Sequence, residues 1–197
     1  MKVVKIILSI MLCATIVLAG ISVYAQNYSG RYSSVSVITD EEREWILERF
    51  GRQYESIEEY ISTAQNYARA NFKYDYDKSY IFQYYDFESI CKGDEIRGIC
   101  FDFSVLFKNM TLVLTEAGYL PADTRVFVVD IAYEDLTAPK HSFNTVSLPS
   151  GDNYYLCLTM SASRAEKGLD PTADYEVFRC SIVDYCKKYN ERVMNLH

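Results

Sequence analysis

The chain has 197 residues and a net charge of −7. That length is enough for one domain with a proper core. An acidic balance argues against a nucleic-acid partner, whose phosphates need a basic surface. Tyrosine is abundant, at 18 residues. It suits a small core and a half-wet binding groove alike.

Lys2 and Lys5 open a short basic start, and an apolar run follows to about Val23. Val23-Tyr24-Ala25 sets up cleavage after Ala25, the pattern of a secretory signal. Residues 1–25 are therefore read as a signal peptide, with export to the cell envelope or the medium. Ile6–Ala25 is also just long enough to span a bilayer if it stays uncleaved. Ile21 follows Leu18-Ala19-Gly20 where a lipoprotein signal would carry Cys, which argues against a lipid anchor. Cleavage removes both signal lysines and takes the charge to −9.

Residues 26–39 lack a clear period and read as a tether or an edge strand. Residues 40–197 form the domain. Asp40 is placed to cap a first helix, Glu41 to Phe50, stopped by Gly51. Ser56 with Glu59 forms a capping-box pattern for a second. Ile57, Tyr60, Ile61, Ala64, Tyr67 and Ala68 recur there at helical spacing. Phe72 to Phe87 is aromatic and irregular, and a short helix fits Asp86 to Cys91. A long helix starts at about Cys100 and ends before Gly118, with a stripe of Phe103, Leu106, Phe107, Met110, Val113 and Leu114. Arg125 to Ile131 suits a buried strand. Ser142 to Leu148 and Tyr154 to Leu158 read as two strands joined by a turn at Pro149-Ser150-Gly151-Asp152. A last helix is expected over Ala173 to Val193. Helices followed by an antiparallel sheet make the fold class α+β. Asn27-Tyr28-Ser29 and Asn109-Met110-Thr111 match the glycosylation sequon and are read as chance.

Cys13 leaves with the signal, so Cys91, Cys100, Cys157, Cys180 and Cys186 remain. Export permits disulfides, and an odd count leaves one thiol over. Cys180 and Cys186 would face apart on a helix, since six residues turn it about 600° and rise about 9 Å. There are two histidines, and His197 is terminal. Any Cys–His mechanism must therefore use His141. Cys100 has the best setting among the thiols. It lies in Gly98-Ile99-Cys100-Phe101-Asp102-Phe103-Ser104 at an expected helix N-terminus. Exposed N–H groups and the helix dipole favour a thiolate there, and the same groups can hold an oxyanion. A buried structural Cys at the head of a core helix is the plain alternative.

The Gly98–Phe107 run resembles the Gly-x-Cys-x-(Asp/Glu)-(aromatic)-(Ser/Ala) start of the catalytic helix in transglutaminase-like proteins. Gly118-Tyr119-Leu120-Pro121-Ala122-Asp123-Thr124-Arg125-Val126 is similar to that family's Gly-Ile-Pro-Ala-Arg turn into the next strand. His141-Ser142-Phe143-Asn144-Thr145-Val146 resembles its His-Ala-Trp-x-Glu-Val strand. Ala68-Arg69-Ala70-Asn71-Phe72-Lys73-Tyr74-Asp75 looks like the preceding helix end and Tyr-Asp. The resemblance covers roughly residues 55 to 160. It implies a papain-like core, with the helix of Cys100 packed on an antiparallel sheet, Cys100 as nucleophile and His141 as base. The family's Asp-Pro-Thr, whose Asp orients the His, falls on Cys157-Leu158-Thr159. Cys157 is thus a degenerate third position.

Two readings follow. One is cysteine-dependent acyl transfer or hydrolysis on a peptide or protein substrate of the cell envelope, with no cofactor and no resident metal. The other is a catalytically decayed module that binds peptide or glycan. Metal binding by Cys100, His141 and Cys157 is a third and weaker idea, because their spacing is not a zinc motif.

Overall fold

Thr39 turns the chain into its first helix. Its side chain accepts the Glu42 N–H at 3.1 Å, so Thr39 and not Asp40 is the cap. The computed structural model describes residues 37–78, 84–133, 141–147, 153–168, 175–178, 181–187 and 191–196. The chain divides into two units, Met1–Val37 and Ile38–His197, and only Val37 of the first is among the described residues. The signal segment, nearly all of the tether, Cys13, Cys180, His197 and the Pro149–Asp152 turn lie outside them. No helix among the described residues is long and apolar enough to cross a membrane.

The elements run α1 (Asp40–Phe50), α2 (Ile57–Asn71), β1 (Phe72–Tyr74), α3 (Phe87–Ile90), β2 (Cys91–Lys92), β3 (Glu95–Gly98) and α4 (Cys100–Glu116). Then come β4 (Arg125–Tyr133), β5 (His141–Ser147), β6 (Asn153–Leu156), α5 (Leu158–Glu166), β7 (Tyr175–Phe178), α6 (Ile182–Lys187) and β8 (Glu191–Leu196). Ser56 caps α2 as expected, accepting the Glu59 N–H at 3.2 Å.

The fold is α+β. A small sheet has the order β1-β3-β2, with β1 parallel to β3. A five-stranded antiparallel sheet has the order β7-β6-β5-β4-β8. Helix α4 packs across β5 and β4, as its apolar stripe expects, and all six stripe residues are buried. On β5, Val146 faces this first core, while Phe143 joins a second cluster with Val129, Ile131, Cys157 and Cys186. Alternation along the strand produces that division. Tyr60 is fully buried, stacks on Phe107 at 5.3 Å and hydrogen-bonds the Thr111 hydroxyl. Asn109 is buried and donates to Glu42 Oε1 at 2.9 Å, so its sequon is closed to a glycan in the folded chain.

Three further expectations need correction. The Ala173–Val193 helix is replaced by β7, α6 and β8. β7 pairs with β6 and β8 with β4, so both satisfy backbone groups on the two edges of the hairpin sheet. The argument that Cys180 and Cys186 face apart on one helix falls with it. The strand from Tyr154 stops at Leu156, and α5 begins at Leu158. Leu158, Ser161 and Ala162 form its buried stripe, and α5 packs on α2. Finally, the irregular aromatic stretch contains β1, whose Phe72 is a core residue against Phe103.

Candidate active site

Three element ends converge where the central strands of the five-stranded sheet end: the start of α4, the start of β5 and the passage from β6 into α5. They carry Cys100, His141 and Cys157 respectively.

Cys100 is the first residue of α4, after an extended Ile99 with φ −104° and ψ 177°. Its side chain is fully buried. The Ser142 N–H donates to its Sγ at 3.2 Å, so the thiol sits against the backbone one residue beyond His141. Gly98 is required for a reason other than a sharp turn. A Cβ there would lie 2.8 Å from both Cβ and Oδ2 of Asp102, a contact that real side chains do not make.

Asp102, two residues into the helix, is fully buried. Its Oδ2 accepts the Ile99 N–H at 2.8 Å, and Lys78 Nζ reaches both carboxylate oxygens at 2.7 and 2.8 Å. Burial pushes this carboxyl above its ordinary value, while Lys78 and the Ile99 N–H pull it back. Lys78 therefore clamps the segment after β1 to the N-terminus that carries Cys100. Nothing in the local sequence announces this pair, which is 24 residues apart.

His141 is half-buried. Its Nε2 lies 3.2 Å from Cys157 Sγ, and its ring stacks over Phe143 at 6.3 Å. The hairpin register explains the meeting. Asn144 pairs with Leu156, which sets Cys157 beside Phe143 and within reach of His141. Cys157 is 2% exposed, and its Sγ also accepts the Met160 N–H at 3.4 Å, helping to start α5. Burial, reinforced by the neighbouring Cys100, pushes the Cys157 thiol up to about 12. It is therefore neutral at physiological pH and a poor nucleophile. Among the described residues, no disulfide joins Cys91, Cys100, Cys157 or Cys186.

Two polar side chains near the site, Asp102 and Asn144, are engaged with other groups. Asp102 holds Lys78 and Ile99. Asn144 donates to Ser104 O at 2.9 Å, and its Oδ1 is buried with no partner among the described residues. A second buried carboxylate, Asp130, accepts the Ser142 hydroxyl at 2.6 Å and fixes the strand beside Cys100. Among the described residues, no group of three or more His, Cys, Asp or Glu side chains is arranged to hold a metal ion.

Beside the site lies a cleft of about 430 Å³, lined by Tyr74, Asp75, Tyr76, Lys78, Thr159 and Ser163. Lys78 connects it to Asp102, and Thr159 follows Cys157 by two residues, so the cleft adjoins the site on two sides. Neither the family models, nor the curated proteins, nor the solved structures contain a match to this chain.

Proposed function

We propose that this chain is an exported transglutaminase-like domain of papain type, in which Cys100 and His141 form an acyl-transfer centre weakened at its third position. The observation that carries the reading is the 3.2 Å contact between Cys157 Sγ and His141 Nε2. It sets a side chain behind the imidazole where the motif order expects the orienting group.

In the reaction, the Cys100 thiolate attacks a peptide or side-chain amide carbonyl. The C–N bond breaks, a thioester forms, and His141 passes the thiol proton to the leaving amine. Water or a second amine then releases the acyl group. The first-turn N–H groups of α4 are available for the oxyanion. A carboxylate at position 157 would hold the ring with its proton on Nε2, leaving Nδ1 free to take a proton. A neutral thiol can donate as well as accept, so it does not enforce that tautomer. It also contributes little to stabilising the imidazolium. In the serine-protease template, the wrong tautomer costs about 10⁴ in turnover. A Cys–His pair depends on it less, because the thiol ionises more easily. Slow turnover on a cell-envelope peptide follows, with no cofactor required.

The second reading is a non-catalytic module that holds peptide or glycan in the Tyr74–Tyr76 cleft. The complete burial of Cys100 favours it. Alkylation with chloroacetamide, mapped by peptide mass spectrometry, separates the two. The catalytic reading expects Cys100 to react at neutral pH and to slow about a hundredfold in His141→Ala, the lower end of general-base effects. A Cys100 that reacts equally in both proteins leaves only the binding reading.

A further inference from the structure

A second concavity lies far along α4. Thr115 is 15 residues beyond Cys100, or about 22 Å along the helix axis at 1.5 Å per residue. The concavity has a volume of about 160 Å³ and opens between α4 and the start of β4. Lys108, Thr111, Leu112 and Thr115 line it at helical spacing from one side, and Thr124 and Arg125 from the other. We infer that this pocket binds a small oxyanion of the phosphate type, free or as the head of a phosphate monoester. The inference is independent of any chemistry at Cys100.

The charge pattern is the first argument. The chain carries 27 acidic and 20 basic side chains, so a cation here has many acids to choose from. Arg43, Arg49, Arg52, Arg97, Lys78 and Lys187 each pair with a carboxylate. Lys108 and Arg125 make no ion pair among the described residues, and no described acidic side chain lines the pocket. Lys108 is half-buried, and burial pulls its ammonium below the ordinary value, with no described carboxylate to restore it. A desolvated cation without a counter-charge is costly unless something anionic meets it.

The second argument is an orphaned donor. Thr115 Oγ1 is buried and has no hydrogen-bond partner among the described residues. Such groups are uncommon and call for an explanation. Thr111 is already engaged, donating to Phe107 O and meeting Tyr60 OH, so Thr115 and Thr124 are the hydroxyls left to a ligand. Arg125 uses Nη1 on the Ala122 and Thr124 carbonyls, which anchors its guanidinium at the rim. At about 160 Å³ the pocket has room for a compact group such as a tetrahedral oxyanion. Such an oxyanion accepts from an ammonium, a guanidinium and two hydroxyls at once.

The test is titration of the ¹⁵N-labelled chain with inorganic phosphate at neutral pH, against sodium chloride at matched ionic strength. A parallel arm uses glycerol phosphate. The expected result is saturable amide shifts around Lys108, Thr115 and Arg125, absent with chloride. Lys108→Gln and Arg125→Gln should each weaken binding about tenfold, the scale of one charge-assisted hydrogen bond. Thr115→Val, which keeps the shape, should weaken it a few-fold. Equal affinity for glycerol phosphate identifies a monoester ligand, and preference for inorganic phosphate identifies the free ion. Shifts that do not saturate, that chloride reproduces, or that persist unchanged in Lys108→Gln and Thr115→Val with the fold intact overturn the proposal.

Discussion

Replacing Cys157 with Asp is the most informative change at the candidate active site. The native thiol lies 3.2 Å from His141 Nε2 and is neutral, pushed up to about 12. An Asp carboxylate oxygen reaches slightly further from the backbone than Sγ, so it can hydrogen-bond the ring with little backbone movement. A unit charge at about 4 Å stabilises an imidazolium by about 4 kcal/mol at an effective dielectric of 20. Burial takes part of this back, as it does at Asp102, whose carboxyl stays above its ordinary value even with Lys78 on both oxygens. A net gain of about 1.4 to 3 kcal/mol remains, which is ten- to hundred-fold in rate. The assay is the second-order rate of chloroacetamide alkylation at Cys100, followed by peptide mass spectrometry from pH 5 to 9. Cys157→Asn is the neutral control of similar shape. Cys157→Asp should be the faster of the two, with its reactive limb extending to lower pH as the imidazolium holds the thiolate. Equal rates and superimposable pH profiles in the two variants, with the fold intact, would refute the reasoning.

Three further outcomes are expected. Lys78→Met should destabilise the chain by about 3 kcal/mol in denaturant unfolding, because Asp102 is left buried and unpaired, and adding Asp102→Asn should recover much of the loss. Gly98→Ala should cost about 1 to 3 kcal/mol in the same assay, since its Cβ meets Asp102 at 2.8 Å. An unchanged midpoint would mean that the α4 N-terminus relaxes freely. The Cys157 thiol titrates near 12 in the fold against an ordinary value of 9.0, so the unfolded chain loses this proton first as pH rises. Its contribution is intact below about pH 9 and falls by about 1.4 kcal/mol per pH unit up to about 12. The difference between the wild type and Cys157→Ala, measured by denaturant unfolding across that range, isolates this term from the tyrosines.

Local signals in the sequence determined the central elements. The stripe from Phe103 to Leu114 is helical in spacing and apolar throughout, and α4 buries all of it. Ser56 caps α2 because its oxygen needs only a donor three residues away. The β-branched run from Arg125 and the run opened by His141 pair in register from Arg125–Ser147 to Ile131–His141. The motif order put Cys157 within reach of His141 because a hairpin register is itself short-range. The rest needed partners distant in the chain. Residues 175–178 and 191–196 become strands because β6 and β4 present edges with backbone groups to satisfy. No local pattern within 173–193 carries that information, so a helical reading of it fails. Lys78 finds Asp102 across 24 residues, and Ser142 meets the Cys100 thiol across 42. Spacing in the sequence named Cys100 and His141 as candidates. Only the tertiary structure decided how deeply Cys100 is buried, what holds its helix end, and that Cys157 stays neutral beside His141. Those properties depend on desolvation and contacts from elements far apart in the chain.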